Sequence, residues 1–107
     1  MITLNDFQKI EIKIGKIKNA ERIEGSEKLL RLEIDLGDES RQIVSGIGKA
    51  VTEPESLIGK EVPVITNLEP KQLMGMESQG IILAVSNGET PVLIHPEKEV
   101  PPGNVVK

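Results

Sequence analysis

Between Ile10 and Ile14 apolar and polar residues alternate (Ile10-Glu11-Ile12-Lys13-Ile14), the period-two pattern of a strand with one buried face. The parity then slips. The next apolar residue is Ile17, set between Lys16 and Lys18, and Gly15 stands at the slip. A glycine where a strand reverses its facing predicts a β-bulge and a sharp bend, which a small closed barrel needs at a corner. The second strand is cleaner: Leu30, Leu32, Ile34 and Leu36 face one way, and Arg31, Glu33 and Asp35 the other. Gly37-Asp38-Glu39-Ser40 is turn chemistry, and Arg41 to Ser45 returns as an antiparallel third strand.

Farther along, Thr52 and Glu55 have the spacing of a capping box. Pro54 suits a first helical turn and Gly59 a C-terminal cap, so one or two turns of helix are predicted there. Glu61 to Thr66 predicts a fourth strand, in which Pro63 implies an edge or a bulge. Asn67 to Gln79 has no strong period and reads as a connection. The run Ile81-Ile82-Leu83-Ala84-Val85 predicts a fifth strand buried on both faces. After Ser86-Asn87-Gly88, the apolar stretch Val92-Leu93-Ile94 leads into Pro96 and Val100-Pro101-Pro102-Gly103. Three strands, a short helix and two more strands, the first strand bent, predict an all-β, five-stranded barrel of the OB type. An SH3-like barrel is the alternative, but it usually lacks a helix between its third and fourth strands. No repeat or linker divides the chain. Residues 1–107 are read as one domain, with a barrel core over 7–86 and a C-terminal extension over 87–107.

Composition removes whole classes of chemistry. Phe7 is the sole aromatic residue, so the core must be aliphatic and a site of stacked aromatics is nearly excluded. With no cysteine, disulfides, thiolate chemistry and Cys-ligated metals are ruled out, and His95 alone offers no histidine pair. Ser45 has no visible base, and no carboxylate pair stands out for acid–base work. Glu33, Asp35, Asp38 and Glu39 read as a solvated hairpin tip rather than a cation site. Gly46-Ile47-Gly48-Lys49 lacks the spacing of a phosphate loop and its following Ser or Thr. No catalytic residue, metal or cofactor is expected. No apolar run approaches the roughly 20 residues of a membrane span, and the first residues carry no signal-peptide pattern, so a soluble, cytoplasmic domain is expected.

The net charge of −4 argues against indiscriminate coating of nucleic acid. Yet Lys9, Lys13, Lys16, Lys18 and Arg22 cluster on the first strand, opposed only by Glu11 and Glu21. Lys13, Lys16 and Lys18 are expected to point away from the apolar face, and Lys28, Arg31, Arg41 and Lys49 extend the surface if the first three strands form a meander. The cluster reads either as a solvated face of mixed charge or as a local positive track for a selective polyanion binder. Without aromatics, recognition would rest on phosphates, sugars and polar base edges.

One further stretch is specific: Lys71-Gln72-Leu73-Met74-Gly75-Met76-Glu77-Ser78-Gln79-Gly80, directly before an apolar strand. With Val44-Ser45-Gly46-Ile47 and Val100-Pro101-Pro102-Gly103, it resembles the tRNA-binding domain family over Phe7 to Val106. That family includes the C-terminal domain of methionyl-tRNA synthetase, a free-standing bacterial tRNA-binding protein and the endothelial-monocyte-activating polypeptide. Where relatives often read His-Pro-Asn-Ala-Asp-Lys-Leu, this chain reads Ile23 to Leu29 and keeps only Lys28 and Leu29; relatives often have Met at Ile81. The resemblance implies an OB barrel that binds tRNA by shape and backbone contacts without catalysis. Its implied partner is a methionyl-tRNA synthetase catalytic region, in cis or in trans; neither synthetase signature, of the HIGH or KMSKS type, lies in the chain itself. A chaperone-like or protein-docking module is the alternative.

The resemblance places Ser45, Lys49, Asn67, Lys71, Met74, Ser78 and Gln79 near the RNA-binding face, beside Lys13, Lys16, Lys18, Lys28 and Arg41 of the basic surface. Alanine at Lys71 or Ser78 is therefore expected to weaken tRNA binding without changing the melting temperature. It also implies a homodimer through the last strands and the C-terminal segment. The barrel reads as complete by Val85, so Val92, Leu93, Ile94, Val100 and Val105 would expose apolar surface on a free tail. They are expected to form a two-fold interface, the alternative being a tail folded back over its own barrel.

Overall fold

A computed structural model describes residues 1–107. A single helical turn, α1 (Leu4–Phe7), precedes β1 (Ile12–Arg22), β2 (Leu30–Asp35) and β3 (Ser40–Ser45). Two short 3-10 helices, Gly48–Ala50 and Pro54–Leu57, lead into β4 (Glu61–Ile65). A small hairpin, β5 (Lys71–Leu73) and β6 (Met76–Ser78), is followed by β7 (Ile81–Ile82), β8 (Ala84–Val85), β9 (Val92–Leu93) and β10 (Val105–Val106). The main sheet runs β3-β2-β1-β4-β7, antiparallel throughout, and curls into a nearly closed five-stranded OB-like barrel.

β1 makes the curl possible because it serves two neighbours in turn. Its first half pairs with β4, from Ile12↔Ile65 to Lys16↔Glu61, and from Lys16 onward it pairs with β2. Gly15 lies at this handover, but the ladder to β4 runs through it unbroken. The bulge falls later, at Lys18, where the β2 register shifts between Ile17 and Asn19. What Gly15 supplies is room: a Cβ there would overlap a methyl of Ile34 and lie 3.1 Å from Leu36 and 3.3 Å from Val64. The core it admits is wholly aliphatic, with Ile17, Leu30, Leu32, Ile34, Ile43, Leu57, Val62 and Val64 essentially inaccessible to solvent.

Several local expectations change. The helix between β3 and β4 is where the pattern put it, but Thr52 caps nothing. Glu53 occupies the N-cap position without a side-chain bond, because a single 3-10 turn offers little to cap. The turn serves instead to drive Leu57 into the core, and Gly59 (φ 91°) then donates its N–H to the Ile17 carbonyl at 2.8 Å. A capping box does form at α1, where the Thr3 hydroxyl accepts from Asp6 N–H and the Asp6 carboxylate accepts from Thr3 N–H, each at 3.1 Å.

Pro63 sits between two partner strands rather than at an edge or bulge. Its partner Ile14 directs its own N–H and C=O to Asn104 (2.9 Å) and Gly103 (2.7 Å) of the tail, so no ladder bond to Pro63 is missing there. The run 81–85 is not buried on both faces: Ile81 is 44% and Val85 50% exposed. It breaks after Ile82, and β8 leaves the main sheet to pair with β9.

The tail lies on its own barrel. β10 pairs with the first half of β1 (Ile12↔Val106, Lys13↔Val105), on the side that β2 takes farther along. Leu93 of β9 packs against the core and is half-buried. No helix is long and apolar enough to cross a membrane.

Candidate nucleic-acid interface

In an OB barrel the outer face of the second and third strands and the loops beside it take oligonucleotides. Here those loops are 23–29 and 66–80. The second contains β5 and β6, paired Lys71↔Ser78 and Leu73↔Met76 around the two-residue turn Met74-Gly75. Both turn residues have positive φ, 49° and 77°, the requirement of a type I′ hairpin. Glycine meets it freely; an L side chain in this region costs about 1–2 kcal/mol. The sequence hid the hairpin because Met-Gly is not the Asn-Gly signature and three-residue arms are too short to show a period. Met74 is 56% exposed, and its Cε lies 3.8 Å from where a Cβ on Gly25 would stand, so the two loops meet at this side chain.

The same hairpin closes the barrel, and this reassigns several candidates. Ser78 is only 4% exposed; its hydroxyl accepts from Val44 N–H at 2.9 Å and donates to the Gly80 carbonyl at 3.0 Å. Gln79 exchanges bonds with the Gln42 backbone, accepting through its side chain at 3.1 Å and donating its own N–H at 2.8 Å. Arg41 donates to the carbonyls of Thr66 and Gln79 and is held by Glu39 at 2.7 Å. Asn67 brackets the entry to β1, accepting from Glu11 N–H at 2.8 Å and donating to the Lys9 carbonyl at 2.7 Å. These four side chains are engaged in holding the fold, and Ser78 is too buried to touch a macromolecule. Ser78→Ala strands the buried Val44 N–H and is expected to cost about 1–3 kcal/mol. In a chain of this size that lowers the melting temperature by roughly 5–15 °C in a thermal melt, whereas Lys71→Ala should leave it unchanged.

Charge is distributed differently from the linear cluster. Lys9, Lys13 and Lys16 are paired with Asp6 (3.8 Å), Glu11 (3.7 Å) and Glu99 (3.2 Å). Arg22, which the sequence placed in the basic cluster of the first strand, instead fastens both nearby loops through the carbonyls of Glu27, Gly48, Val51 and Thr52. No sequence pattern distinguishes this role, since every acceptor is backbone. Lys18, Lys28, Lys49 and Lys71 take part in no ion pair. Lys18 projects at the bulge. Lys28 and Lys49 line one open groove of about 490 Å³ with Gly46, Ile82 and Val85, and Lys71 lines a second of about 490 Å³ with Leu68, Leu73 and Ile81. Ser45, half-buried at the end of β3, falls between residues of the two grooves.

Near the entry to β1, the Thr66 hydroxyl donates to Glu11 and holds that carboxyl below its ordinary pKa; burial opposes the effect, and Lys13 and Arg41 add to it. Arg41 does the same for Glu39, its own guanidinium pKa rising in return. A carboxyl whose pKa is lowered on folding stabilises the fold above its unfolded value, about 4.3 for Glu, and loses that contribution as pH falls through the lower folded value. The melting temperature should therefore begin to drop below about pH 4.5, and Glu11→Gln should flatten that decline in melts taken from pH 6 to pH 3.

The family model described as "Putative tRNA binding domain" matches residues 12–105. The chain belongs to the tRNA-binding domain family. It is 52% identical over 105 residues to a methionine--tRNA ligase of Archaeoglobus fulgidus, an alignment that spans 98% of this chain and 16% of the ligase. Among solved structures, a MetRS-related protein from Pyrococcus horikoshii superposes with a TM-score of 0.92 at 37% identity, covering 100% of this chain and 98% of that one. The chaperone CsaA of Bacillus anthracis superposes with a TM-score of 0.91 at 32% identity, covering 100% and 99%. In the ligase relatives the tRNA-binding domain is thus a small part of a longer chain, and by itself it is a non-catalytic module.

Proposed function

We propose that this tRNA-binding domain binds tRNA through its two lysine-lined grooves and the loop surface between them, and that it serves a methionyl-tRNA synthetase catalytic region in cis or in trans in the cytoplasm. The observation that carries this reading is that Lys28, Lys49 and Lys71 remain unpaired on an acidic chain, beside the loops where OB barrels take oligonucleotides. Contacts of this kind go to phosphate and sugar and carry little base specificity. They raise the residence of tRNA on an attached catalytic body by raising its effective concentration. In the same reading Ser45 stands between the two grooves, and Lys18, exposed at the β1 bulge, is a further unpaired cation on the chain.

The domain is further proposed to act as a homodimer, with 87–107 as its dimerisation region. Although the tail lies on its own barrel, Val92 (46%), Ile94 (40%) and Val105 (58%) stay exposed, and Ile94, Val100 and Val105 line a groove of about 600 Å³ with Ile12, Ile14 and Leu83. An apolar surface of this kind marks an interface. It also favours the second reading, a chaperone-like or protein-docking module, in keeping with the likeness to CsaA.

A gel shift with bulk tRNA, run beside light scattering, separates these readings. The expected results are a shifted complex, lost as salt rises, and a mass of about twice the 11.7 kDa chain. A folded chain that leaves tRNA unshifted while suppressing aggregation of an unfolded protein would establish the second reading in its place.

A further inference from the structure

We propose that Met74 is a specificity-determining wedge, an apolar side chain that packs against an exposed base face of the RNA and makes this surface prefer folded tRNA to uniform duplex. The inference rests on the reading above and deepens it. Three observations converge on the residue. It is the chain's one non-glycine residue with positive φ (49°), at the tip of a two-residue turn where asparagine or glycine would be at ease. Its thioether side chain is nevertheless left 56% exposed, so neither burial nor turn chemistry accounts for methionine at that position. The side chain also reaches Gly25, so it stands where the 23–29 and 66–80 loops meet, and each of those loops carries a lysine without an ion pair, Lys28 and Lys71. A strained backbone that presents a large apolar group at a binding junction points to use.

The chemistry fits what is missing elsewhere. OB surfaces hold bases by stacking on aromatics, but the single aromatic residue here is Phe7, in the N-terminal turn α1. Methionine is among the side chains that proteins insert as wedges beside or between bases. Its sulfur is polarizable and packs well on a ring face. A group on a rigid hairpin tip reaches a base only where the RNA offers one unstacked or at the end of a stack. Away from its two ends a continuous duplex offers neither, whereas folded tRNA has loops in which bases stand unstacked.

The test measures affinity for tRNA and for a long, fully paired RNA duplex, whose interior sites far outnumber its two ends, in the same buffer, for the unmodified domain, Met74→Gly and Met74→Asn. Glycine and asparagine both suit positive φ, so neither variant strains the turn, and asparagine holds it more tightly than glycine does. Both are expected to bind tRNA about tenfold more weakly, to bind duplex as before, and to melt no lower than the unmodified domain. The dependence of log affinity on log salt should keep its slope, because no phosphate contact is removed. Tight tRNA binding by Met74→Asn, at the unmodified level, overturns the wedge and leaves the lysine surface standing. An equal loss on tRNA and duplex also overturns it, by making Met74 a general support of the surface. If the unmodified, folded domain binds no tRNA at all, the underlying reading falls and the wedge with it.

Discussion

Replacing Lys28, Lys49 and Lys71 together by alanine is expected to weaken tRNA binding by roughly two orders of magnitude and to reduce the salt slope of log affinity by about 2–3. The argument is one of counting free charge. Each of these ammonium groups lies in an open groove without a carboxylate partner, so each is available to displace counterions from a phosphate. The contrasting triple variant at Lys9, Lys13 and Lys16 removes cations that already neutralise Asp6, Glu11 and Glu99. Its effect on affinity should stay within about threefold, since the carboxylates it frees act at a distance that salt screens. Filter binding across a salt series distinguishes the two sets. If the second triple loses the affinity and the first does not, the RNA face is the outer edge of β1 and not the loop junction.

The second large effect is expected on stability. Gly15→Val should destabilise the domain by about 3 kcal/mol and lower its melting temperature by roughly 10–15 °C. The added atoms would enter space held by Ile34, Leu36 and Val64, which belong to the packed core at the point where β1 changes partners. Ile34 and Val64 sit on β2 and β4, which are fixed by their ladders, and Leu36, just after β2, is held by its N–H to the Glu39 carbonyl at 2.8 Å, so they have little room to retreat. The variant should still bind tRNA with unchanged affinity per folded molecule, because Gly15 lies inside the barrel. A variant that melts like the original would show that β1 can shift at its bend, and the role given to Gly15 would fail.

The second strand was readable because it repeats with period two. Leu30, Leu32, Ile34 and Leu36 all face inward, as their alternation requires. Gly15 was rightly singled out in β1 but wrongly assigned a bulge: composition shows that space or flexibility is needed, and the ladder and the close approach of Ile34 decide for space. The candidate site was legible as a set of residues and not as a set of roles. Lys71 and Ser78 belong to one motif and face each other across one hairpin, yet one side chain is exposed and the other seals the barrel. The neutralisation of Lys16 was equally hidden, because Glu99 reaches it only through the course of the tail. Arg41 and Asn67 look like surface polar residues in the chain; in the fold their partners are carbonyls and amides on distant segments. Such contacts are set by tertiary proximity, which local pattern does not encode.

The position of the tail bears on how the domain is made. Ile14 gives both of its peptide groups to Gly103 and Asn104, and β10 covers Ile12 and Lys13. On the ribosome, then, the domain's first strand waits for residues about 90 positions farther along before its second edge is covered. At about 5–20 residues per second, a nascent barrel spends several seconds with an apolar edge bare after β1 has been synthesised. During that interval β1 can pair with another chain as readily as with its own tail. Folding of the domain is therefore tied to completion of its synthesis, and a peptide carrying residues 100–107, added in trans to a truncated chain, should be able to occupy the same lane.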